Sequence, residues 1–294
     1  MSCLIGEVFA LMAALTWAVG SIFDRIGLTK IPPLLANTMR SVPAAIFTFI
    51  LTVIIEGLTP LTSITVINII YILLGTTFAL LIGDYLFLYS LRRLGVSKTM
   101  PIVSVYPVFA ILGATLLLGE IVTIFVVIGV ASTITGIFLI SRSNSGKIEN
   151  TGLNPKYMLI IPVIAAVMWG LGQVFFGLAL LDTPPLTMTT VRLLYFSSFL
   201  VTLNFTLGDR KFYKKYNSYW GKMATIGGFL SLALGGLFLM LGLNYAGVSK
   251  TSPLTSVTPM FSTILAVLFL KEKLDINICL GTALIILGII LIVF

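Results

Sequence analysis

The sequence has no histidine and few charged residues, which make up only 10% of its 294 residues. The absence of histidine excludes histidine-based catalytic triads, imidazole acid–base catalysis and histidine metal sites. A soluble domain has about a quarter charged residues, and a larger core does not explain the deficit, because surface area shrinks too slowly with size. Since 58% of the residues are apolar and the mean hydropathy is +1.12, the chain is predicted to be an integral membrane protein.

Other kinds of functional residue are also scarce. The two cysteines, Cys3 and Cys279, lack the spacing of a metal or redox motif and are expected to be inert. The sequence shows no paired catalytic carboxylates, metal cluster or nucleophile–base set, so an intramembrane enzyme is the least favoured class and no cofactor is expected. The net charge of +8 would suggest nucleic acid for a soluble chain. In a membrane protein it bears on orientation instead, and no nucleic-acid partner is expected.

Apolar runs predict the fold class, which is an all-α integral membrane protein with ten transmembrane helices. A helix needs about 20 mostly apolar residues to cross the hydrocarbon. Ten runs of about that length lie between charged or Pro/Gly/Asn breaks. Their limits are 4–23, 34–55, 64–90, 97–118, 121–140, 157–180, 186–206, 223–243, 250–270 and 275–294.

The chain repeats itself at a shift of 152 residues. Residues 95–109 (GVSKTMPIVSVYPVF) match 247–261 (GVSKTSPLTSVTPMF) with ten identities in fifteen positions. At the same shift Trp17 matches Trp169, and Arg40 matches Arg192. Apolar composition alone does not readily align Trp, Arg, Lys and Pro at one shift. The sequence therefore predicts two five-helix repeats, 1–142 and 157–294, with a linker over 143–156.

Five spans per repeat is an odd number, so the second repeat should cross the membrane in the opposite sense to the first. Inverted repeats are typical of transporters that alternate between two mirrored states around a site near the midplane. The alternative is a duplicated structural bundle without a transport role.

Lysine and arginine indicate the orientation. The loops after spans 1, 3, 5, 7 and 9 contain fifteen of the 18 basic residues, whereas the opposite side has only Lys250. Arg40 and Arg192 lie inside spans. Because basic loops remain in the cytoplasm, the sequence predicts a multi-pass protein of the plasma membrane with both termini outside the cytoplasm.

These motifs resemble those of the drug/metabolite transporter superfamily, specifically its EamA-type ten-span permeases. The resemblance covers essentially the whole chain. It rests on AALTW in span 1 and AAVMW in span 6, a P-L-x5-R element opening spans 2 and 7, and the stretch from GVSKT to the end of spans 4 and 9. It implies a transporter of small metabolites with its cavity between the two halves. Family members commonly have cytoplasmic termini, and the loop charges of this chain indicate the reverse.

Arg40 and Arg192 are the first candidates for substrate binding or gating. Each lies seven residues after a proline at the start of its span, about 10 Å along the helix axis. An arginine at this depth costs a few kcal/mol unless it pairs, faces water or reaches the headgroups. The two guanidiniums either hold a substrate carboxylate or phosphate and brace the gates, or serve as structural arginines near helix ends.

Acidic and lysine residues give further candidates. Asp84 lies inside span 3 and is the candidate for carrying a coupling proton, with pairing to Arg40 as the alternative. Glu7 and Asp24 lie near a membrane edge and are expected to be solvated. Lys98 and Lys250 open spans 4 and 9, where a cation opposes the helix dipole. They either bind an anionic lipid or substrate, or were inherited in the duplication.

Two prolines and a set of aromatic and polar residues complete the candidate site. Pro107 and Pro259 should kink spans 4 and 9 and act as a hinge, or be tolerated there for structural reasons. Aromatic side chains beside sparse polar groups suit a site for small amphipathic molecules. The cavity-lining candidates are Trp17, Trp169, Asn37, Thr38, Gln173, Tyr85, Tyr106 and Thr258.

The sequence thus favours a secondary transporter, a permease or exporter, that moves small organic metabolites by alternating access. The substrate gradient or protons would drive it. A lipid-linked flippase or a passive facilitator is the alternative. The expected partners are a small anionic or zwitterionic substrate and membrane lipids, and the chain is expected to be a monomer or a homodimer.

A reporter fused to the C-terminus tests the predicted orientation. If the basic loops are cytoplasmic, a reporter that is active only in the cytoplasm should be silent, because Phe294 then lies outside. An active reporter would overturn this topology.

Overall fold

The computed structural model describes residues 2–28, 30–94, 99, 102–143, 159–206, 217–270 and 276–293. This part of the chain is built of α-helices and contains no strand. The helices of the first half are α1 (Ser2–Leu28), α2 (Pro33–Ile55), α3 (Thr59–Thr62), α4 (66–94), α5 (Tyr106–Leu118) and α6 (Ile124–Ser143). Those of the second half are α7 (Ile160–Ala179), α8 (Pro185–Thr206), α9 (Tyr219–Ala246), α10 (Val248–Thr255), α11 (Thr258–Leu270) and α12 (Ile276–Val293).

Seven helices are long and apolar enough to cross a membrane, and they correspond to seven of the predicted spans. They are Leu4–Asp24, Leu34–Ile55, Val66–Phe87, Ile160–Ala179, Pro185–Thr206, Tyr219–Ala246 and Ile276–Val293. Predicted spans 4 and 5 contain the shorter apolar helices Tyr106–Leu118 and Ile124–Ile140. Predicted span 9 is divided between α10 and α11. The all-helical membrane class is therefore supported, whereas the full set of ten spans stays a prediction.

Local sequence explains where several of these helices begin. Pro33 and Pro185 occupy the first positions of α2 and α8, where the missing N–H has no intrahelical partner to lose. The Thr65 hydroxyl accepts the Asn68 N–H at the start of α4. Ser218 does the same for the Gly221 N–H at the start of α9. Proline and short hydroxyl side chains thus fix these helix starts.

Helices α4 and α9 both widen into a π-helix at repeat-equivalent positions. The π segments are Thr77–Gly83 in α4 and Phe229–Leu234 in α9. A π turn leaves backbone carbonyls displaced from the regular ladder and is frequent at functional sites.

The predicted kinks at Pro107 and Pro259 occur as complete breaks. A two-residue turn, Ser104–Val105 or Ser256–Val257, interrupts the helix before each proline. Each proline then takes the second position of the helix that follows, α5 or α11. Proline lacks the N–H that a continuous helix would use and its ring crowds the preceding turn, so the chain restarts its helix rather than bending it.

Helices of the two halves pack against one another in equivalent pairs. Helix α1 packs along α9, and its equivalent α7 packs along α4. A methyl group added to Gly20 in α1 would lie 3.1 Å from the Gly227 carbonyl oxygen. One added to the equivalent Gly172 would lie 3.0 Å from the Gly75 carbonyl oxygen. Both distances are tighter than ordinary van der Waals contact, so a small residue at each position allows the helices to approach closely.

Helices α6 and α12 form the closest of these pairs, with glycines facing each other. A methyl group on Gly136 would lie 2.5 Å from the Gly281 carbonyl oxygen, and one on Gly281 would lie 2.6 Å from that of Gly136. Gly129 and Gly288 face each other in the same manner, at 2.8 and 2.6 Å. Backbone-to-backbone approach replaces side-chain packing, which suits helices in lipid.

Gly136→Leu should therefore destabilise the protein by about 1–3 kcal/mol, as overpacking does, because the new side chain must separate α6 from α12. Thermal unfolding in detergent measures the effect. Ala131→Leu is the matched control, since Ala131 lies on the exposed face of the same helix. Equal stability of the two variants would contradict the packing described.

Candidate functional site

An ion pair lies in the interior of the first half. The Arg40 Nη2 atom lies 2.9 Å from Asp24 Oδ2, and both side chains are largely buried, at 11% and 14% exposure. Arg40 Nη1 also donates to Asn37 Oδ1 at 2.9 Å. The expectation that Asp24 is solvated is therefore wrong, as is the pairing of Arg40 with Asp84. The two charged side chains come from neighbouring helices, Asp24 from α1 and Arg40 from α2.

Arg192, the repeat equivalent of Arg40, has a different environment. It is 2% exposed, and its Nη2 donates to the Leu232 carbonyl at 3.4 Å. Its guanidinium lies 5.5 Å from the centre of the Phe176 ring. A methyl group on Gly236 would collide with the same Nη2, so the glycine leaves room for the guanidinium. Among the described residues, Arg192 forms no ion pair.

Asp84 begins the last section of α4, directly after the π segment. Its Oδ1 accepts a hydrogen bond from Trp169 Nε1 at 3.0 Å. The charges of Arg40 and Arg192 both act on this carboxyl. Asp84 and Trp169, both candidate site residues, are therefore in direct contact.

Trp17 makes the contact equivalent to that of Trp169 without an acid. Its Nε1 donates to the Ser231 carbonyl at 2.9 Å, a backbone group inside the π segment of α9. Each tryptophan ring packs on a glycine of the opposite helix, Trp17 on Gly235 and Trp169 on Gly83. The repeated tryptophans thus join the two halves at equivalent places.

A second group of polar residues lies where α5, α7 and α10 meet, and we call it the closed cluster. It consists of Tyr106, Gln173, Ser252 and Thr255. The Tyr106 hydroxyl donates to the Ser252 carbonyl at 2.8 Å and lies 2.6 Å from Thr255 Oγ1. Ser252 Oγ donates to Gln173 Oε1 at 2.5 Å. These bonds join the first half of the chain to the second.

Two threonine contacts tie α2 to α8 on either side of the arginines. Thr38 Oγ1 accepts from Asn204 Nδ2 at 2.5 Å, and Thr52 lies 2.7 Å from Thr190, hydroxyl to hydroxyl. Thr38 is equivalent to Thr190, and Thr52 to Asn204. Thr38, predicted to line the cavity, is fully buried in this crossing.

Lys250 is neutralised within the protein. Its Nζ lies 2.9 Å from Glu7 Oε1 and 3.2 Å from the Val293 carbonyl. Glu7 is 3% exposed, so the expectation that it is solvated is also wrong. The Glu120 carboxylate accepts the Val248 and Ser249 N–H groups at 2.8 Å each and caps α10. Lys98, the equivalent lysine, lies outside the described residues.

The remaining predicted site residues lie outside these groups. Tyr85 is 60% exposed. Thr258 is adjacent to the closed cluster, because its hydroxyl donates to the Thr255 carbonyl three residues earlier. Pro107 and Pro259 flank the helix breaks described above. No three Cys, Asp or Glu side chains within the described ranges are grouped as a metal site requires.

Sequence reasoning missed Asp24, Phe176 and Ser252. A signal was present for the first two, because the repeat places Asp24 and Phe176 at the same position. A charged residue in one copy and an aromatic in the other marks a place where the two halves have diverged. Ser252 lies opposite Met100 in the repeat, a similar difference in polarity.

Asp24→Asn should destabilise the protein by about 3 kcal/mol, because it leaves the buried Arg40 charge unpaired. The double variant Asp24→Asn with Arg40→Gln removes both charges and should recover most of that stability. Thermal unfolding of both variants in detergent measures the difference. A double variant less stable than the single one would contradict this ion pair.

Comparison with known proteins agrees with these observations. The sequence pattern of the EamA-like transporter family matches residues 4–142 and again residues 156–294. A protein of Archaeoglobus fulgidus named as an uncharacterized transporter is 24% identical over 284 residues, covering 97% of this chain and 96% of its own. A solved crystal structure shares the fold with a TM-score of 0.80 at 14% identity, over 97% of this chain and 95% of that one. The names of the family and of the Archaeoglobus protein indicate transport, and the family pattern matches the chain twice, as the internal repeat would require. The chain belongs to the EamA-like transporter family.

Proposed function

We propose that this protein is a secondary transporter that moves small organic metabolites by alternating access between two inverted five-helix repeats. The observation that supports this best is that equivalent positions in the two repeats differ in burial. Ser21 is exposed whereas Gln173 is buried, and Thr258 is partly exposed whereas Tyr106 is buried. Two repeats of similar sequence in two different environments are what alternating access requires.

The reciprocal packing supports the inverted arrangement. Helix α1 contacts α9, α10 and α11, and α7 contacts α4 and α5. Each half therefore places its first helix against the third and fourth spans of the other half. This reciprocal packing relates the two halves by a two-fold axis. Because each half is predicted to have five spans, an odd number, that axis lies parallel to the membrane plane.

The closed cluster is the gate on one side in this proposal. Its hydrogen bonds hold α5, α7 and α10 together and bury Gln173 and Tyr106. The equivalent of Gln173 on the other side, Ser21, bonds the Ala18 carbonyl of its own helix. This second side is the entrance, and it lies next to the basic loop after α1.

The accessible side contains charged groups. Asp24, Arg40 and Asp84 are all partly exposed, whereas their equivalents Phe176, Arg192 and Gly236 are buried. Charged side chains within an apolar helical protein mark a substrate path. In the alternate state the burial of the two sets exchanges.

The helix breaks and π segments supply places where the helices can change shape. Breaks precede Pro107 and Pro259, and repeat-equivalent π segments lie in α4 and α9, so each half has a break and a matching π segment. Discontinuous helices of this kind form the moving parts of many inverted-repeat transporters. The hinge role of the prolines and the proton-carrying role of Asp84 stay predictions.

Cysteine accessibility tests alternating access. In a Cys3→Ser, Cys279→Ser background, Ser21→Cys should react with an impermeant thiol reagent from the side of the basic loops. Gln173→Cys should react only from the opposite side, and slowly while the Tyr106 hydroxyl still bonds Ser252 and Thr255. Adding Tyr106→Phe, which removes the hydroxyl that bonds Ser252 and Thr255, should speed labelling at position 173 and slow it at position 21.

Pro162→Cys provides a matched control, because Pro162 is buried in α7, the helix of Gln173, eleven residues before it. Its labelling rate should not respond to Tyr106→Phe. Positions 21 and 173 reacting from the same side, or both accelerating together, would overturn the alternating-access proposal.

A further inference from the structure

A cavity of about 250 Å³ lies at one end of the helical bundle. It is lined by α3, by the first turn of α4 and by the connection between α7 and α8. The two connections concerned follow predicted spans 2 and 6, so the cavity lies on the side opposite to the basic loops. Asn68 in its wall precedes Asp84 by sixteen residues, about 24 Å along a helix axis. The cavity is therefore separate from the contact of Asp84 with Trp169.

Two buried polar side chains line this cavity without a hydrogen-bond partner in the described part of the chain. Asn68 and Thr183 are each 3% exposed, and Thr183 Oγ1 has no partner. Asn68 donates its backbone N–H to Thr65 Oγ1, but its side-chain amide bonds no described residue. A buried amide or hydroxyl without a hydrogen bond is costly. Both groups therefore favour a polar molecule bound beside them.

Asp182 is the acidic residue of the cavity wall, and it is exposed. Within the described ranges it forms neither an ion pair nor a hydrogen bond. The predicted spans place three other acidic residues on the same side, and each has a partner. Glu7 pairs with Lys250, Glu120 caps α10, and Glu56 binds the start of α8. Asp182 is thus the acid on this side whose charge is left for a ligand.

The repeat shows that the fold does not require a polar cavity at this place. The equivalents of Asn68 and Thr183 in the repeat are Trp220 and Ile31. Trp220 packs against a buried apolar cluster that includes Ile31. The same scaffold therefore packs apolar side chains together at one end and lines a cavity with polar groups at the other.

The lining determines which kind of ligand suits the cavity. None of its residues is basic, so the carboxylate favours a cation. Metal ions such as Ca²⁺ take about six to eight oxygen ligands, commonly with several carboxylates, whereas this cavity has one acid. Pro60, Ile64 and Pro184 add apolar surface, which suits carbon atoms. The volume equals that of about eight water molecules, at about 30 Å³ each in the liquid, so the ligand must be small.

We propose that this cavity binds a small organic cation, an ammonium group carried on a few carbon atoms. Asp182 balances its charge, and Asn68 and Thr183 accept its hydrogen bonds. The proposal goes beyond the transport function and does not depend on it, because binding at this place requires no exchange between the two halves.

The ammonium group can come from two sources. Asn68 lies in the first turn of the apolar helix Val66–Phe87, so the cavity is at the level where that helix enters the membrane. An amine dissolved in the external solution and the ethanolamine headgroup of a lipid both reach this level. The two share the chemistry that Asp182 recognises.

Binding of three small probes to the full-length protein in maltoside detergent tests the proposal. Ethanolammonium, ethylene glycol and glycolate are similar in size and are respectively positive, neutral and negative at neutral pH. Saturation-transfer NMR measures the dissociation constant of each. Ethanolammonium should bind about two- to fivefold more tightly than ethylene glycol, the value of an exposed ion pair in a binding constant. Glycolate should bind more weakly than both, and equal binding of the three probes would overturn the assignment of a cation.

Three substitutions in the cavity wall should change these constants in different ways. Asp182→Asn should remove the advantage of ethanolammonium over ethylene glycol, because it removes the acid. Thr183→Val should weaken both probes, because it removes the buried hydroxyl. Asn68→Trp introduces the side chain found at the equivalent position 220 and should abolish the binding of both by filling the cavity.

Thr62→Val is the matched control for Thr183→Val. Thr62 is exposed in α3, and its hydroxyl donates to the Thr59 carbonyl of the same helix. This variant should leave the three constants unchanged. If Asn68→Trp does not fold, the other two variants still decide the question, because one changes an exposed residue and the other removes an unpaired hydroxyl. Unchanged constants in both Asp182→Asn and Thr183→Val would overturn the site.

Competition with short-chain lipids distinguishes the two sources. Phosphatidylethanolamine has the ammonium group, and phosphatidylglycerol has a hydroxyl-bearing headgroup without it. If phosphatidylethanolamine displaces the probe at a lower concentration than free ethanolammonium does, and phosphatidylglycerol does not, the ligand is a lipid headgroup. If neither lipid displaces the probe, the ligand is a soluble amine.

Discussion

A charge inside an apolar helical protein must find its counter-charge within the protein, and the interior of this molecule is arranged around that constraint. Water is absent from the hydrocarbon, so an unpaired guanidinium or carboxylate there is costly. Arg40 meets the requirement with Asp24 and Asn37, and Lys250 meets it with Glu7 and a carbonyl at the end of α12. The Arg40 contacts join the consecutive helices α1 and α2, whereas the Lys250 contacts join α10 to α1 and α12, which lie far apart in the chain.

Because the chain is a repeat, each of these residues has an equivalent in the other half, and the differences between equivalent residues are informative. Where Asp24 packs against Gly227, Phe176 packs against Gly75 at the equivalent contact. The same backbone geometry therefore accepts a carboxylate in one half and an aromatic ring in the other. Trp17 and Trp169 also keep the same packing on a glycine, but one bonds a carbonyl and the other Asp84. The scaffold is nearly symmetric, whereas its polar chemistry is not.

The sequence predicted the parts of the site that depend on composition and repetition. Arg40, Arg192, Asp84 and both tryptophans were expected in the interior, and of these the structure places Asp84 against Trp169. The sequence did not predict which charged residues form ion pairs. Asp24 directly follows the apolar run 4–23 and so was expected in water, yet α1 continues to Leu28 and Asp24 pairs with Arg40 of α2. Glu7 lies near the start of the same apolar run and was also expected in water. Its place in the sequence gives no information on its contact with Lys250.

Taken alone, the sequence determined the membrane class, the repeat, the family and the positions at which helices must break. These follow from hydropathy, from the identities at a shift of 152, and from the missing N–H of proline, all of which are local or additive properties. Only the tertiary structure decided that Arg40 is bound to Asp24 and that Arg192 forms no ion pair among the described residues. The physical reason is that ion pairing depends on which helix faces meet, and a difference of one position around a helix turns a side chain by about 100°.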